Sequence, residues 1–192
     1  MASFTKVIPI IFHWEGGYDA NPNDTGNWYQ GKLIGTNHGI SAPLLAEYVG
    51  DKMTSDDMKN LTKEKAQSIM KKRFWDKIKG DDINSQSIAN FICDWVYNSG
   101  PGVIDNIQRV IGCKDDGKIG PNTIAAINSH DNEPLFNALV TARTQFIQAI
   151  VANSVTNYLR KHPAAGEREL KKKTKLMYKN GWLNRINSFK FE

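Results

Sequence analysis

Apolar residues recur with helical spacing in most segments of this chain, and glycine, proline or a capping residue separates one segment from the next. After Ser85, for example, Ile88, Ile92 and Trp95 fall on one helical face, and Gly100 ends the pattern. The chain has 192 residues, of which 40% are hydrophobic, so it is long enough and apolar enough to bury a core. The sequence therefore predicts a globular, mainly α-helical protein.

Helix starts are predicted at serine, threonine and proline residues, and Gly100–Pro101–Gly102 is the strongest break between them. We place a lobe boundary there, which gives lobes 1–99 and 100–192. Pro9 predicts a bend or a later start in the first helix. Arg143 lies among apolar residues of a long helix predicted over 134–159, where it could reach an acidic partner. The predicted starts are Ser3, Ser41 with Pro43, Thr54, Thr62, Ser85, Val103, Pro121, Pro134 and Gly181.

The net charge is +5, from 25 basic and 20 acidic residues, which suits a polyanionic partner such as nucleic acid, anionic lipid or a bacterial cell wall. Ordinary surface charge is the alternative, and the basic stretch 168–175 is predicted to be a solvated helix face. Cys93 and Cys113 are expected to be buried thiols, with a disulfide left open. No metal-site spacing, cofactor motif, membrane span or secretory signal is recognisable, and no motif predicts nucleic-acid recognition.

Near the N-terminus, an apolar run leads into the stretch Trp14–Tyr18, in which Glu15 is followed by Gly16 and Gly17. Apolar neighbours disfavour the charged form of a carboxyl group, and a carboxylic acid that keeps its proton near neutral pH can act as a general acid. The alternative is an ordinary helix end, with Gly16 as the left-handed cap and Glu15 in solvent. These five residues alone favour the ordinary helix end.

A polar, glycine-rich stretch follows over residues 19–40, and it contains Asp24 and Thr36 on either side of an insert that could form a short hairpin. Glycosidic cleavage needs an acid for the leaving oxygen and a second group that positions water or stabilises the developing cation. Glu15 suits the first role, Asp24 the second, and Thr36 could hold the water. Alternatively, Asp24 caps a turn and Thr36 is a turn or strand-edge hydroxyl.

Six motifs in order carry a family resemblance: His13-Trp14-Glu15-Gly16-Gly17-Tyr18, Asn23-Asp24-Thr25-Gly26, Thr36-Asn37-His38-Gly39-Ile40-Ser41, Phe74-Trp75-Asp76, the stretch 94–100 and the stretch 116–123. Together they resemble glycoside hydrolase family 108, the peptidoglycan N-acetylmuramidases of phage and bacterial origin that are often called secretion activator proteins. The resemblance covers nearly the whole chain. It implies a lysozyme-like helical lobe with a short loop or hairpin at the active site, and a packed α-helical C-terminal lobe that is similar to a peptidoglycan-binding region.

The resemblance implies that Glu15 is the catalytic acid. The Glu–Asp–Thr order is also similar to that of tailed-phage lysozymes, although the insert 28–34 lengthens the loop before Thr36 and His38 stands where tyrosine is common. Sugar binding needs planar apolar faces and amide donors. Tyr97 and Asn98 are the better candidates, while Trp75 and Trp95 are expected to be core. The predicted substrate-binding residues are Tyr18, Asn37, Tyr97 and Asn98.

The predicted activity is hydrolysis of the β-1,4 bond between N-acetylmuramic acid and N-acetylglucosamine, without metal or cofactor. A lytic transglycosylase and a non-catalytic cell-wall-binding secretion accessory protein are the alternatives. The expected partner is bacterial peptidoglycan, and the chain is expected to be a monomer. Synthesis in the cytoplasm and later action on the wall are expected, and the resemblance implies release through a holin-type pore or at lysis.

Overall fold

The computed structural model describes residues 1–192. It contains ten α-helices and a single two-stranded sheet, so the prediction of a mainly α, lysozyme-like helical fold is confirmed. The chain divides into two compact units, residues 3–81, and residues 82–192 together with Met1–Ala2. The lobe boundary predicted between residues 99 and 100 lies later in the chain than this division. The assignment of 1–99 and 100–192 as two functional lobes stays a prediction.

The unit 3–81 combines short helices with one hairpin. The hairpin pairs Trp28 with Leu33 and Tyr29 with Lys32 in antiparallel register. Its two turn residues, Gln30 and Gly31, have φ values of 46° and 74°, as the tightest hairpin turns require. The elements are α1 (Phe4–Trp14), β1 (Trp28–Tyr29), β2 (Lys32–Leu33), α2 (Ala42–Val49), α3 (Ser55–Lys59) and α4 (Lys63–Met70).

Side-chain caps mark two of the four α-helix starts in this unit, where they satisfy main-chain N–H groups that have no partner within the helix. Thr54 and Asp57 form a reciprocal capping box at the start of α3. The Thr62 hydroxyl accepts a hydrogen bond from the N–H of Lys65 at the start of α4. Pro9 lies inside α1, which nevertheless runs without a break from Phe4 to Trp14.

The predicted helix after Thr62 is not uniform, because α4 passes into a π-helical turn over Lys71–Trp75. Trp75 is fully buried, donates its indole N–H to Asp81 at 2.8 Å and meets the ring of Phe4 edge-on at 5.9 Å. This wider turn coincides with the largest buried side chain of the unit. The prediction that Trp75 is core is confirmed.

The regular secondary structure of the unit 82–192 is entirely helical, and several of its caps agree with the sequence. Ser85 accepts from the N–H of Ile88 at the start of α5, Pro121 is the first residue of α7, and Gly112 ends α6 in the left-handed conformation. The elements are α5 (Gln86–Ser99), α6 (Ile104–Ile111), α7 (Pro121–Ser129), α8 (Asn132–Lys161), α9 (Glu167–Lys173) and α10 (Lys179–Ser188).

Asp94 lies at the centre of this unit and carries its only fully buried carboxylate. Arg185 donates to it through Nε and Nη2, the latter at 2.7 Å. The Nη1 atom of Arg143 lies 2.8 Å from the other carboxylate oxygen, without a well-aligned hydrogen bond. The structure thus provides the acidic partner predicted for Arg143. Trp95, the next residue, is fully buried as predicted.

Three further properties bear on function. Cys93 is buried, Cys113 is half-buried, and both are free thiols. None of the helices combines the length and apolar composition needed to cross a bilayer. No three histidine, cysteine or acidic side chains are grouped closely enough to hold a metal ion.

Candidate active site

Glu15 caps the C-terminal end of α1 in an extended conformation, with φ −98° and ψ 135°. Its N–H donates to the carbonyl of Phe12 at 3.3 Å. Gly16 and Gly17 follow, and neither has a positive φ. The alternative in which Gly16 is a left-handed cap is therefore wrong, because the chain has already left the helix at Glu15.

The side chain of Glu15 is half-buried at the edge of a cavity of about 250 Å³. A Cβ atom built on Gly16 or Gly17 would meet nothing within 4 Å, so these glycines border open space. The volume is slightly below the range typical of whole ligand pockets, which suits one section of a longer polymer. The lining residues are Phe12, Glu15, Gly16, Gly17, His38 and Lys63.

His38 and Lys63 share this cavity with Glu15, and the sequence analysis assigned neither of them to the site. His38 has a φ of 49°, unusual for a residue other than glycine, and its ring centroid lies 6.2 Å from that of Phe12. The one sequence signal was the position of His38 in a glycine turn where the family commonly has tyrosine. Lys63 is the first residue of α4, and only tertiary packing brings it to the cavity.

The residue after Lys63 adds a negative charge near the cavity. The pKa of Glu64 is lowered, first by a hydrogen bond from its own main-chain N–H and then by the Thr62 hydroxyl. The charges of Lys63 and His38 lower it further. The start of α4 therefore presents a cation to the cavity and carries an ionised carboxylate beside it.

Asp24 is exposed and precedes a short 3-10 turn over Thr25–Asn27. Its Oδ1 atom accepts a hydrogen bond from the N–H of Gly26 at 2.9 Å. This is the turn-capping contact that the alternative interpretation predicted, and Asp24 is not among the residues that line the Glu15 cavity. Its role in hydrolysis stays a prediction.

Thr36 pairs with Asp19 through two main-chain hydrogen bonds of 2.8 Å, which close the long loop back beside the end of α1. The Tyr18 hydroxyl strengthens this closure by donating to the carbonyl of Ile34 at 3.1 Å. The two ends of the loop that carries the hairpin are therefore joined, and Thr36 lies beside Asp19, which follows Glu15 by four residues in the chain. The part of Thr36 in holding water stays a prediction.

The two other candidates in this unit differ in exposure. Tyr18 is 39% exposed, and the Nζ atom of Lys59 lies 5.7 Å from its ring centroid. Asn37 is 4% exposed and donates its amide to the carbonyls of Met58 and Lys59 at 2.9 and 3.3 Å. The Asn37 amide thus ties the loop to the end of α3, and sugar binding by either residue stays a prediction.

Tyr97 and Asn98 belong to the unit 82–192, in the last turn of α5. Tyr97 is half-buried, with the guanidinium carbon of Arg185 5.7 Å from its ring centroid. Asn98 is exposed and lines a cavity of about 230 Å³ within that unit. Their role in binding substrate stays a prediction.

Comparison with known families agrees with this geometry. Residues 8–100, which include Glu15 and its cavity, match the family model described as Glycosyl hydrolase 108. The region 8–100 belongs to the glycosyl hydrolase 108 family. Residues 103–187 match a second model, described as Predicted Peptidoglycan domain. A glycosyl hydrolase region is thus followed by a peptidoglycan-type domain, which supports a role as a glycosidase acting on the cell wall.

Among solved structures, this protein is similar to one described as the structure of Brucella abortus SagA. The two are 28% identical and superpose with a TM-score of 0.68, over 97% of this chain and 94% of the other. No curated protein matches the chain. The similarity to SagA therefore extends over both the glycosyl hydrolase region and the peptidoglycan-type domain.

Proposed function

We propose that this protein hydrolyses the β-1,4 bond between N-acetylmuramic acid and N-acetylglucosamine in peptidoglycan, with Glu15 as the general acid. The observation that carries the proposal is the position of Glu15 inside the glycosyl hydrolase region, where it is the one carboxylate among the residues that line its cavity of about 250 Å³. The peptidoglycan-type domain supports the cell wall as the partner. The protein acts there after release, by holin-type export or at lysis.

In the proposed reaction, the carboxyl group of Glu15 gives its proton to the glycosidic oxygen as the bond from that oxygen to the anomeric carbon breaks. A water molecule then attacks the anomeric carbon and gives up a proton, to Asp24 where Asp24 acts as the base and otherwise to the Glu15 carboxylate that the first step leaves. Asp24 assists that water or stabilises the cation, and Thr36 holds the water. Gly16 and Gly17 leave room for the glycan beside the acid because no side chain projects from either.

Substitution of Glu15 tests the acid. We expect Glu15→Gln to lower the release of reducing ends from purified peptidoglycan by about 10²–10⁴-fold, the usual contribution of a general acid, while the fold and wall binding persist. Glu47→Gln is the matched control, because Glu47 is exposed on α2 of the same unit and makes only a surface ion pair with Arg73. Full activity of Glu15→Gln would remove Glu15 from the mechanism.

A lytic transglycosylase is the second candidate, and the position of Asp24 favours it. Asp24 caps Gly26 and does not line the cavity, whereas a transglycosylase can work with a single acid and no attacking water. In that reaction the 6-hydroxyl of the muramic acid attacks its own anomeric carbon. Mass spectrometry of the products separates the two, because the anhydro-muramyl product is one water lighter than the hydrolysed one.

A non-catalytic wall-binding or secretion accessory protein would bind purified peptidoglycan without releasing either product. The same digest therefore tests this third possibility.

Asp24→Asn refines the choice between the hydrolase and the transglycosylase. We expect it to slow a hydrolase at least tenfold, and to leave a transglycosylase within about twofold of wild type because no water needs activation.

A further inference from the structure

The unit 82–192 contains a second cavity, of about 230 Å³, that takes no part in the proposed bond cleavage, although Asn98 in its lining is also a predicted substrate-binding residue. Its lining contains one lysine, one asparagine and one serine, and the other lining residues are aromatic or aliphatic. No carboxylate lines it. The lining residues are Asn98, Ser99, Phe146, Ile147, Ile150, Lys175 and Trp182.

Lys175 supplies the positive charge of this cavity, and hydrogen bonds hold the main chain at and beside this residue. The N–H of Lys175 donates to the hydroxyl of Ser154 on α8 at 3.0 Å. Thr174, which is 5% exposed, donates its hydroxyl to the carbonyl of Leu170 at 2.7 Å and accepts from the N–H of Leu176 at 3.2 Å. These bonds fix the point from which the Lys175 side chain extends.

The aromatic walls are supported from behind. Trp182 stacks on Tyr178, with ring centroids 5.6 Å apart and an interplanar angle of 28°. Phe146 packs edge-on against the buried Trp95 at 6.1 Å. Both rings are half-buried, so each keeps some surface available to a ligand. Supported aromatic faces of this kind are favourable contacts for planar amides and methyl groups.

The charges of this unit favour an anion at the cavity. Lys175 belongs to the segment 160–190, which contains ten basic and two acidic residues. A carboxylate beside Lys175 would therefore be attracted both by its direct partner and by the surrounding field.

We propose that this cavity binds a short peptide that has small alkyl side chains and a free carboxylate, the chemistry of the peptidoglycan stem peptide. The carboxylate pairs with the Lys175 ammonium. Asn98 and Ser99 hydrogen-bond the peptide amides, and the alanine methyl groups lie on Phe146 and Trp182. The identification of the stem peptide rests on the proposed cell-wall substrate.

A peptide suits the cavity better than the glycan does. N-acetylated sugars are neutral, and in intact peptidoglycan the lactyl carboxylate of the muramic acid is consumed in the amide bond to the peptide. The glycan would leave Lys175 without a counter-charge. A stem peptide provides both the carboxylate and the main-chain amides, and Asn98 and Ser99 stand in the last turn of α5, where helix carbonyls lack intrahelical partners and can accept amide N–H groups.

The test is calorimetric titration of the full-length protein with synthetic L-Ala-γ-D-Glu-L-Lys-D-Ala-D-Ala, with its fully amidated analogue, and with chitohexaose. We expect the free acid to bind, and the amidated peptide and chitohexaose to bind at least tenfold more weakly. We expect Lys175→Gln to weaken binding of the free acid at least tenfold, as loss of a charged hydrogen bond does. In ¹⁵N NMR spectra the indole signal of Trp182, assigned with Trp182→Phe, should shift on titration.

Lys172→Gln is the matched control, since it removes the same charge from the same basic segment outside the lining of this cavity. We expect it to change affinity less than twofold. Equal losses in the two variants would show diffuse attraction and overturn the site. Binding of chitohexaose but not of the peptide would overturn the choice of ligand.

Peptide binding requires no turnover, so the two proposals fail separately. Cleavage of peptidoglycan without peptide binding would refute the cavity and leave the glycosidase intact. Peptide binding through Lys175 without cleavage would support the peptide site and refute the glycosidase. Absence of both would overturn each proposal on its own evidence.

Discussion

Asp94 is fully buried, and its two oxygens face two arginines of different helices. Burial lowers the pKa of Arg143, and the charge of Asp94 opposes that effect. A buried carboxylate with two guanidinium partners compensates charges that would otherwise lie uncompensated in an apolar interior. Asp94 is thus a structural residue, although its place in the motif 94–100 also fits a site residue.

We expect Asp94→Asn to lower the free energy of unfolding by about 3–5 kcal/mol, because it removes the buried carboxylate charge that Arg143 and Arg185 share. Urea denaturation followed by circular dichroism measures this change. Asp131→Asn, an exposed change at the start of α8, is the control and should cost less than about 1 kcal/mol. Equal stabilities of the two variants would contradict the structural role of Asp94.

The two thiols should differ in reactivity. Burial raises the pKa of Cys93, and the neighbouring Asp94 raises it further, so almost no thiolate forms there at pH 8. We expect the native protein to react with one equivalent of Ellman's reagent, at the half-buried Cys113, and with two after unfolding in guanidinium chloride. Cys113→Ser should show no reaction until it unfolds. Rapid labelling of Cys93 in that variant would contradict the burial.

At the scale of elements, the loop between α1 and α2 is closed by its main chain rather than by a disulfide or a metal. Thr36 pairs with Asp19, and Gly35 beside it has a φ of 98°. A Cβ atom at Gly35 would lie 2.6 Å from the ring of Tyr18 and 2.8 Å from the carbonyl oxygen of Asp19. Glycine is therefore required here for both conformation and space.

We expect Gly35→Ala to destabilise the protein by about 1–2 kcal/mol through its positive φ and by a further 1–3 kcal/mol through the clash. Gly31→Ala is the matched control, because Gly31 also has a positive φ but nothing lies within 4 Å of an added Cβ. Thermal melting gives the stabilities, and peptidoglycan digestion shows the effect on the Glu15 site. Equal losses of stability in the two variants would show that the clash with Tyr18 does not contribute.

At the scale of the whole molecule, positive charge is unevenly distributed along the chain. The net charge is +5, whereas the segment 160–190 alone has ten basic and two acidic residues, so the rest of the chain is net negative. The lysines of α9 are exposed, which confirms the predicted solvated helix face. Attraction to an anionic wall should therefore act through this segment.

We expect adsorption of Glu15→Gln to purified cell walls to weaken as NaCl rises from 0.1 to 1 M, because the Debye length shrinks from about 10 Å to about 3 Å. Co-sedimentation measures the bound fraction. In the same background, changing Lys171, Lys172 and Lys173 to glutamate should reduce binding more than changing Lys52, Lys65 and Lys77, which are exposed in the unit 3–81. Equal losses of wall binding in the two triple variants would show that binding depends on the total charge and not on its position.

Helix bounds were predictable because their signals are local. Ser85, Pro121 and Gly112 mark ends that the structure reproduces, since capping depends on residues within one turn. The π-helical turn after α4 was not predictable, because it accompanies burial of Trp75 and not a local sequence signal. The burial of Asp94 was not predictable either, because only its arginine partners, which lie far away in the chain, explain it.

The sequence by itself determined a mainly helical protein, the family, and Glu15 as the residue that ends the first helix. Helical periodicity and the order of motifs can be recognised from the order of residues alone. Tertiary structure decided what surrounds that acid. His38 and Lys63 reach the cavity from a turn and a later helix, and Asp24 caps Gly26. These contacts join residues far apart in the chain, and the packing that creates them is a property of the folded core.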